Sequence, residues 1–270
     1  MVDKKEKALV FFSGGMDSWA HLRWAQKKWG RENVHPMFIR FGHSYEASEE
    51  LVARNLCYAA VPSLIVRQLD LHDQEDSVTH HLQMRNLFML LLGSYYADNL
   101  VFGMLQGDFS EDKNPAFVRQ TQRILRSQYV GNIYHPVTRK IKIWTPFASK
   151  TKSDMVRWYL DDGGDVDNLL ATIGCYNAHS AIKQCGNCIS CFHRWVALAN
   201  NNLTEDYVFA PHLWFRQRVQ ETSSESIGKK LWWLLKKRKY FLEVYRALKS
   251  VEGPSVVSNY WRRWKKGDSQ

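Results

Sequence analysis

Long apolar runs are missing from this 270-residue sequence: none approaches the roughly 20 residues that a membrane-spanning helix needs. The first residues, Met1-Val-Asp-Lys-Lys-Glu-Lys, are charged and lead into a strand-like stretch too short for a secretory signal core. The sequence therefore reads as a soluble cytoplasmic protein with no membrane partner. Internal repeats are also lacking, which excludes a solenoid or propeller. Cysteine is scarce, and four of the five fall between Cys175 and Cys191, which excludes a dispersed disulfide framework. Acidic residues thin out toward the end: Tyr207–Gln270 holds 14 Lys/Arg against 5 Asp/Glu, a surplus of 9 out of the net +10. The preceding 206 residues are close to neutral, so the basic character belongs to a C-terminal segment.

What is present is an alternation. Strand-like runs at Ala8–Phe12, Val34–Arg40, Ser63–Leu69, Leu100–Gly103 and Lys142–Thr145 are separated by helical spacing at Asp17–Trp29, Ala47–Ala59, His81–Ala97 and Thr151–Leu160. This order predicts an α/β fold, an open parallel sheet with helices on both faces, and places ligands beyond the carboxyl ends of the strands. A further helix is expected around Phe117–Tyr129. Glu221–Ser226 reads as a linker to an aromatic, basic helix at Ile227–Leu248. Three parts follow: an α/β domain at 1–165, a four-cysteine region at 166–206 and a helical extension at 207–270.

After the first strand comes Ser13-Gly14-Gly15-Met16-Asp17-Ser18. Glycines let the backbone take positive φ and point successive N–H groups into one concavity, and the following helix adds its dipole. This is a phosphate-binding arrangement, and it is not a Walker loop, because no Gly-Lys-Ser/Thr closes it. The plainer alternative is a tight turn with Asp17 or Ser18 capping the helix.

Cys175, Cys185, Cys188 and Cys191 supply four thiolates at spacings that let them converge on one metal. A closed structural zinc site is the leading reading; an iron–sulfur cluster or a redox pair are the alternatives. His179 and His193 stand nearby as competing ligands or bystanders.

The glycine turn resembles the signature loop of the N-type ATP pyrophosphatases, and the whole pattern from about Ala8 to Asn200 resembles the 7-cyano-7-deazaguanine synthase family. The blocks that carry this are "FSGGMDS", "FGHSYEASE", Met84-Arg85-Asn86, "GDFSEDKNPAF", "TPFASKTKSDMV" and "GCYN…CGNCISCFHR". Two depart from the family pattern: Gln83-Met84 replaces proline-glycine, and Glu111–Pro115 replaces Tyr-Pro-Asp-Cys-Arg. The resemblance implies an adenine nucleotide alpha-hydrolase-like fold with a zinc-bearing helical C-terminal part. It also implies a ligase that uses ATP and Mg2+, with Zn2+ structural, to convert 7-carboxy-7-deazaguanine and ammonia to the nitrile through carboxylate and then amide adenylation.

On this resemblance Phe12, Ser13, Gly14, Gly15, Asp17, Ser18 and Arg40 hold the nucleotide, with Asp17, Arg85 and Lys152 in catalysis. Arg85, Asn86, Asp108, Ser110 and Asp112 meet the substrate, and Cys175, Cys185, Cys188 and Cys191 bind the metal. Family precedent implies a homodimer. Ammonia is expected from solution, since no glutaminase part is evident and Cys57 lies in an apolar helix. Two competing functions are an adenylating enzyme that joins a deazaguanine or another acid to a macromolecule, and a nucleic-acid-binding protein with a vestigial ATP site. The C-terminal extension bears on both: its aromatics and cations suit single-stranded nucleic acid, although an amphipathic helix packed on the core is the favoured reading.

Overall fold

A computed structural model of the chain describes residues 7–60, 63–76, 82–106, 108, 111–133, 136–177, 183–220 and 238–253. Five short strands, β1 (Ala8–Phe11), β2 (Val34–Arg40), β3 (Ile65–Gln68), β4 (Asn99–Val101) and β5 (Lys142–Trp144), form one sheet in the order β3-β2-β1-β4-β5. Every neighbouring pair is parallel. The chain winds outward from β1 to β3 and then crosses back to lay β4 on the other side of β1. The crevice at the carboxyl ends of β1 and β4 is therefore the switch point of the sheet, where open α/β folds take ligands.

The alternation within β1 creates both faces of the core. Ala8, Val10 and Phe12 pack with α1 (Met16–Trp29), α2 (Glu46–Ala60) and α5 (Lys152–Asp161), while Leu9 and Phe11 pack with α3 (Arg85–Ser94) and α4 (Pro115–Gln128). A strand buried on both sides must be apolar throughout, and all four residues of β1 are buried. β2 has the bounds the sequence predicts and the other four strands are one to three residues shorter, yet the ladder runs past them: Phe12 N donates to Met37 O at 2.8 Å and Phe102 N to Trp144 O at 2.8 Å.

Helix α3 starts at Arg85, four residues later than the spacing predicts, because Met84 takes the left-handed conformation with φ 59° and no helix continues through it. Three helices have no bounds in the sequence reading, α6 (Val166–Leu170), α7 (Ile189–Ala199) and α8 (Pro211–Gln220), the last lying within the extension expected to be helical. Of the expected tail, the linker and residues 227–237 lie outside the described residues. What is described is α9 (Arg238–Glu252), which ends at Gly253 with φ 80°. Tyr240, Val244, Ala247 and Leu248 of α9 bury against Phe192 and Val196 of α7 and against Trp214 and Phe215 of α8. For this stretch the structure has the amphipathic packing.

Arg194 ties α7 to the rest. Its guanidinium is 3% exposed and donates twice to Glu205, at 2.7 Å each, once to Thr172 Oγ1 at 2.6 Å and once to Leu170 O at 3.0 Å. Arg194→Ala strands the Glu205 carboxylate and the Leu170 carbonyl, so it should cost about 3–5 kcal/mol, seen as a matching loss in urea-unfolding stability.

Candidate active site and metal centre

The turn after β1 is built by close contacts that only glycine permits. Gly14 has φ 75°, and a Cβ there would stand 2.8 Å from Glu49 O and 3.0 Å from Ala53 N of α2. On its other side Gly14 O accepts from Ile173 N at 2.9 Å, and a Cβ on Gly15 would approach Ile173 O to 3.2 Å. Neither Asp17 nor Ser18 caps α1. The N-cap is Gly15 with no side-chain cap bond, and Ser18 Oγ instead donates to Gly15 O at 2.9 Å. The first-turn N–H groups of α1 thus face the mouth of the turn, with the hydroxyls of Ser13 and Ser18 3.5 Å apart beside it.

Two residues far apart in sequence meet at this mouth. Lys152, the first residue of α5, places Nζ 3.0 Å from Asp17 Oδ1, and both side chains are partly buried. Burial works against the Asp17 charge, but Lys152 and Lys113 outweigh it and hold the carboxyl below its usual range. Lys113 itself lies 3.1 Å from Asp108 Oδ2, an oxygen that also accepts from Leu105 N at 2.7 Å. Asp17, Lys152, Lys113 and Asp108 therefore form one charged group at the switch point. Lys113 was not among the sequence candidates, since nothing in "SEDKNP" distinguishes it from a solvated loop lysine. His21 was missed as well, although its spacing of four from Asp17 puts both on one face of α1.

The expected substrate residues divide. Arg85 is drawn in among Tyr45, Glu49 and Tyr176, with a hydrogen bond to Tyr45; burial opposes its charge, and these neighbours overcome that and raise its pKa. Tyr45 and Tyr176 lie with ring centres 5.2 Å apart, and burial lifts the Tyr45 hydroxyl above its ordinary range. Asn86 and Asp112 bond to each other: Asp112 accepts from Asn86 N at 3.1 Å and from Asn86 Nδ2 at 2.9 Å, serving the start of α3. Arg40 is committed to Glu50 through two bonds of 2.7 Å. Phe12 is a core residue, 1% exposed. Ser110 and His179 lie outside the described residues.

Cys175, Cys185, Cys188 and Cys191 have all four Sγ atoms within 4.8 Å of one another. Tetrahedral zinc with Zn–S bonds of about 2.3 Å requires sulfurs about 3.8 Å apart, and Cys185 Sγ and Cys191 Sγ stand at 3.8 Å. Backbone N–H groups point at the sulfurs, from Cys185 to Cys175 at 3.4 Å, from Asn187 to Cys185 at 3.2 Å and from Cys191 to Cys188 at 3.4 Å. Such donors stabilise thiolates, so the donor set fits a structural zinc ion. His193 is not among the converging groups; its ring meets the edge of Tyr240 at 5.5 Å. Gly186, with φ 72°, lets the knuckle turn where a Cβ would collide with Phe209 O.

The model of the queuosine biosynthesis protein QueC family matches residues 60–202. The chain belongs to the QueC family. Among similar proteins, the 7-cyano-7-deazaguanine synthase of Psychromonas ingrahamii is 26% identical over 233 residues, 76% of this chain and 98% of that protein. The synthase of Pseudoalteromonas atlantica is 29% identical over 223 residues, 73% of this chain and 95% of that protein. Among solved structures, an NH3-dependent NAD synthetase from Campylobacter jejuni aligns at 12% identity with a TM-score of 0.37, covering 90% of this chain and 88% of that one. The QueC match begins beyond the glycine turn and ends before α8, and it contains Arg85, Asn86, Asp108, Asp112, Lys152 and all four clustered cysteines.

Two outcomes are expected from this site. His21 is 1% exposed, donates Nδ1–H to Asp17 O at 2.6 Å, and is kept neutral by burial, which holds its pKa below the ordinary 6.5. Below pH 6.5 the unfolded chain gains a proton that the folded chain refuses. Stability therefore falls with pH by up to ~1.4 kcal/mol per unit. In His21→Gln this fall between pH 6.5 and 5.5 should be shallower in urea titrations. Elemental analysis should find one zinc per chain, lost in Cys188→Ser together with a lowered Tm.

Proposed function

We propose that this chain converts 7-carboxy-7-deazaguanine and ammonia to 7-cyano-7-deazaguanine at the expense of ATP, the reaction for which its relatives are named. The observation that carries the reading is the Asp17–Lys152 pair of 3.0 Å at the mouth of the glycine turn, in a QueC-family chain. In this scheme the substrate carboxylate attacks the α-phosphorus of ATP and pyrophosphate leaves. Ammonia then attacks the acyl carbon, AMP departs, and a proton is lost to give the amide. The amide oxygen attacks a second ATP in the same way. Loss of AMP and of both amide protons leaves the nitrile.

Negative charge rises on the phosphates in both adenylations, so the chemistry calls for fixed cations and N–H groups more than for a strong base. Ser13, Gly14, Gly15 and Ser18 suit the pyrophosphate end, Lys152 the α-phosphate, and Arg85 the substrate carboxylate. Lys113 is a further cation for the polyphosphate, and Asp108 a polar contact for the base. Asn86 and Asp112 act by holding the start of α3, and through it Arg85. Arg40 and Phe12 serve the nucleotide only through the second strand and the floor of the turn. Asp17 Oδ1 is buried beside Lys152 Nζ, and a carboxylate oxygen so placed suits a hard cation. Mg2+ bound there would shield phosphate charge, and Asp17 would also keep Lys152 oriented between turnovers.

The division into 1–165, 166–206 and 207–270, the homodimer and the cytoplasmic location go with this reading. The four cysteines are then a structural zinc site that supports the glycine turn through Ile173. The other reading, transfer of the adenylated acid to a macromolecule, is favoured only by the basic composition of residues 207–270.

Incubation with ATP, ammonia and 7-carboxy-7-deazaguanine should release AMP and give the nitrile by mass spectrometry. Lys152→Ala should reduce this by about 10²-fold or more. AMP release without nitrile, with the acid attached to RNA, DNA or protein, would favour the second reading, and substrate-independent AMP release would remove the first.

A further inference from the structure

Helix α5, which carries Lys152 at its first position, begins with a reciprocal cap. Thr151 Oγ1 accepts from Asp154 N at 3.1 Å, and Asp154 Oδ2 accepts from Thr151 N at 3.1 Å. Each half of this cap is held by α9, more than 80 residues further along the chain. Glu243 Oε1 accepts the Thr151 hydroxyl proton, and Lys239 Nζ donates to Asp154 Oδ2. Lys239 and Glu243 are four apart and so share one face of α9. Asn200, at the end of α7, donates to Glu243 O at 3.0 Å and fixes this turn of α9 in place.

Glu243 is 5% exposed, and an acid is withdrawn from water only at a cost unless it is bonded, so its place against Thr151 is a specific commitment. The Thr151 hydroxyl has one proton. Given to Glu243, that proton leaves the oxygen lone pairs turned to Asp154 N, which is the orientation the cap requires. Lys152 sits between the two gripped residues, and its Nζ ends 3.0 Å from Asp17 at the glycine turn.

We propose that Glu243 and Lys239 are positioning residues for Lys152: by holding both halves of the α5 cap, the C-terminal helix sets the direction in which this lysine enters the nucleotide site. The proposal rests on the function given above, in which Lys152 meets the α-phosphate. Helix α9 lies beyond the QueC-family match, so the device belongs to the extension of this chain. An ångström of displacement at a reacting group can cost as much as ~10²-fold in rate, and a small change at the start of α5 is magnified along the four-carbon lysine stem.

The test uses the full-length, zinc-loaded protein. Kd for Mg-ATP is measured by calorimetry, kcat and KM for ATP by AMP release, and Tm in parallel, for Glu243→Ala, Glu243→Gln, Lys239→Ala, Lys152→Ala and the Glu243→Ala/Lys152→Ala pair. Glu243→Ala and Lys239→Ala should each weaken kcat/KM by roughly tenfold or more. Glu243→Gln should recover most of it, because its amide oxygen still accepts from Thr151. In the Lys152→Ala background Glu243→Ala should add nothing, since a residue acting through Lys152 has nothing left to position.

A lowered Tm with unchanged kcat and KM, or an additive double variant, overturns the proposal. If Glu243→Ala fails to fold, Lys239→Ala decides alone, because that side chain is half exposed; wild-type kinetics there also overturns it. Wild-type behaviour of Lys152→Ala would instead overturn the function on which the proposal rests. A loss in Lys152→Ala with none in Glu243→Ala or Lys239→Ala removes the positioning role alone.

Discussion

The bend at Gly14 has the backbone of α2 on one side and Ile173 on the other, with no room for a side chain on the first. The rest of the site depends on that squeeze. It brings α2 within touching distance of the turn, and with it the segment from Tyr45 to Glu49 that surrounds Arg85. It also ties the turn to the stretch two residues before Cys175, so the four-cysteine knuckle and the glycine turn share a backbone hydrogen bond with only Gly174 between Ile173 and the first sulfur. Metal bound at the cysteines would therefore stiffen the wall of the glycine turn without entering it. Such a division of labour suits a closed tetrahedral centre, which has no position left for substrate.

Charge at the mouth of the turn is balanced within the protein. Asp17 faces Lys152 and is influenced by Lys113, and Lys113 faces Asp108. In the proposed function, a polyphosphate entering this group would compete for the lysines and relieve the carboxylates of their partners. The cations would then be preorganised by acids that a divalent ion could take over. Preorganisation of this kind spares the reorganisation that flexible surface lysines would undergo on binding.

Much of this was legible in the sequence where the information is local. The apolar run of β1, the Ser-Gly-Gly turn and the cysteine spacing each carry their signal within a short span, and the structure has the buried strand, the bend and the converging sulfurs there. Pairings across long stretches were not legible. Asp112 reads as a loop carboxylate, yet it serves Asn86 at a separation of 26. Arg40 sits at the end of a strand, where a nucleotide contact is reasonable, but Glu50 on the adjoining helix claims both its nitrogens. No periodicity encodes such partners, because they are chosen by how helices pack. The bounds of α7 are hidden for a related reason: the helix takes its N-cap from Cys188, a residue outside the usual capping set, whose sulfur accepts from Cys191 N.

Met84 and the loop at 111–115 bear on one place, the start of α3. The Met84 backbone adopts φ 59°, a conformation that costs a non-glycine residue ~1–2 kcal/mol. That strain is sustained because the next two residues are fixed: Arg85 among the tyrosines and Asn86 on Asp112. Asp112 in turn comes from the stretch Glu111–Pro115, which also contributes Lys113 to the charged group and Asn114 as the cap of α4. This loop supplies a carboxylate to the start of α3 and a cation to the switch point. The turn at Met84 and the loop 111–115 are thus coupled, because both bear on the start of α3, where Arg85 leaves for the site.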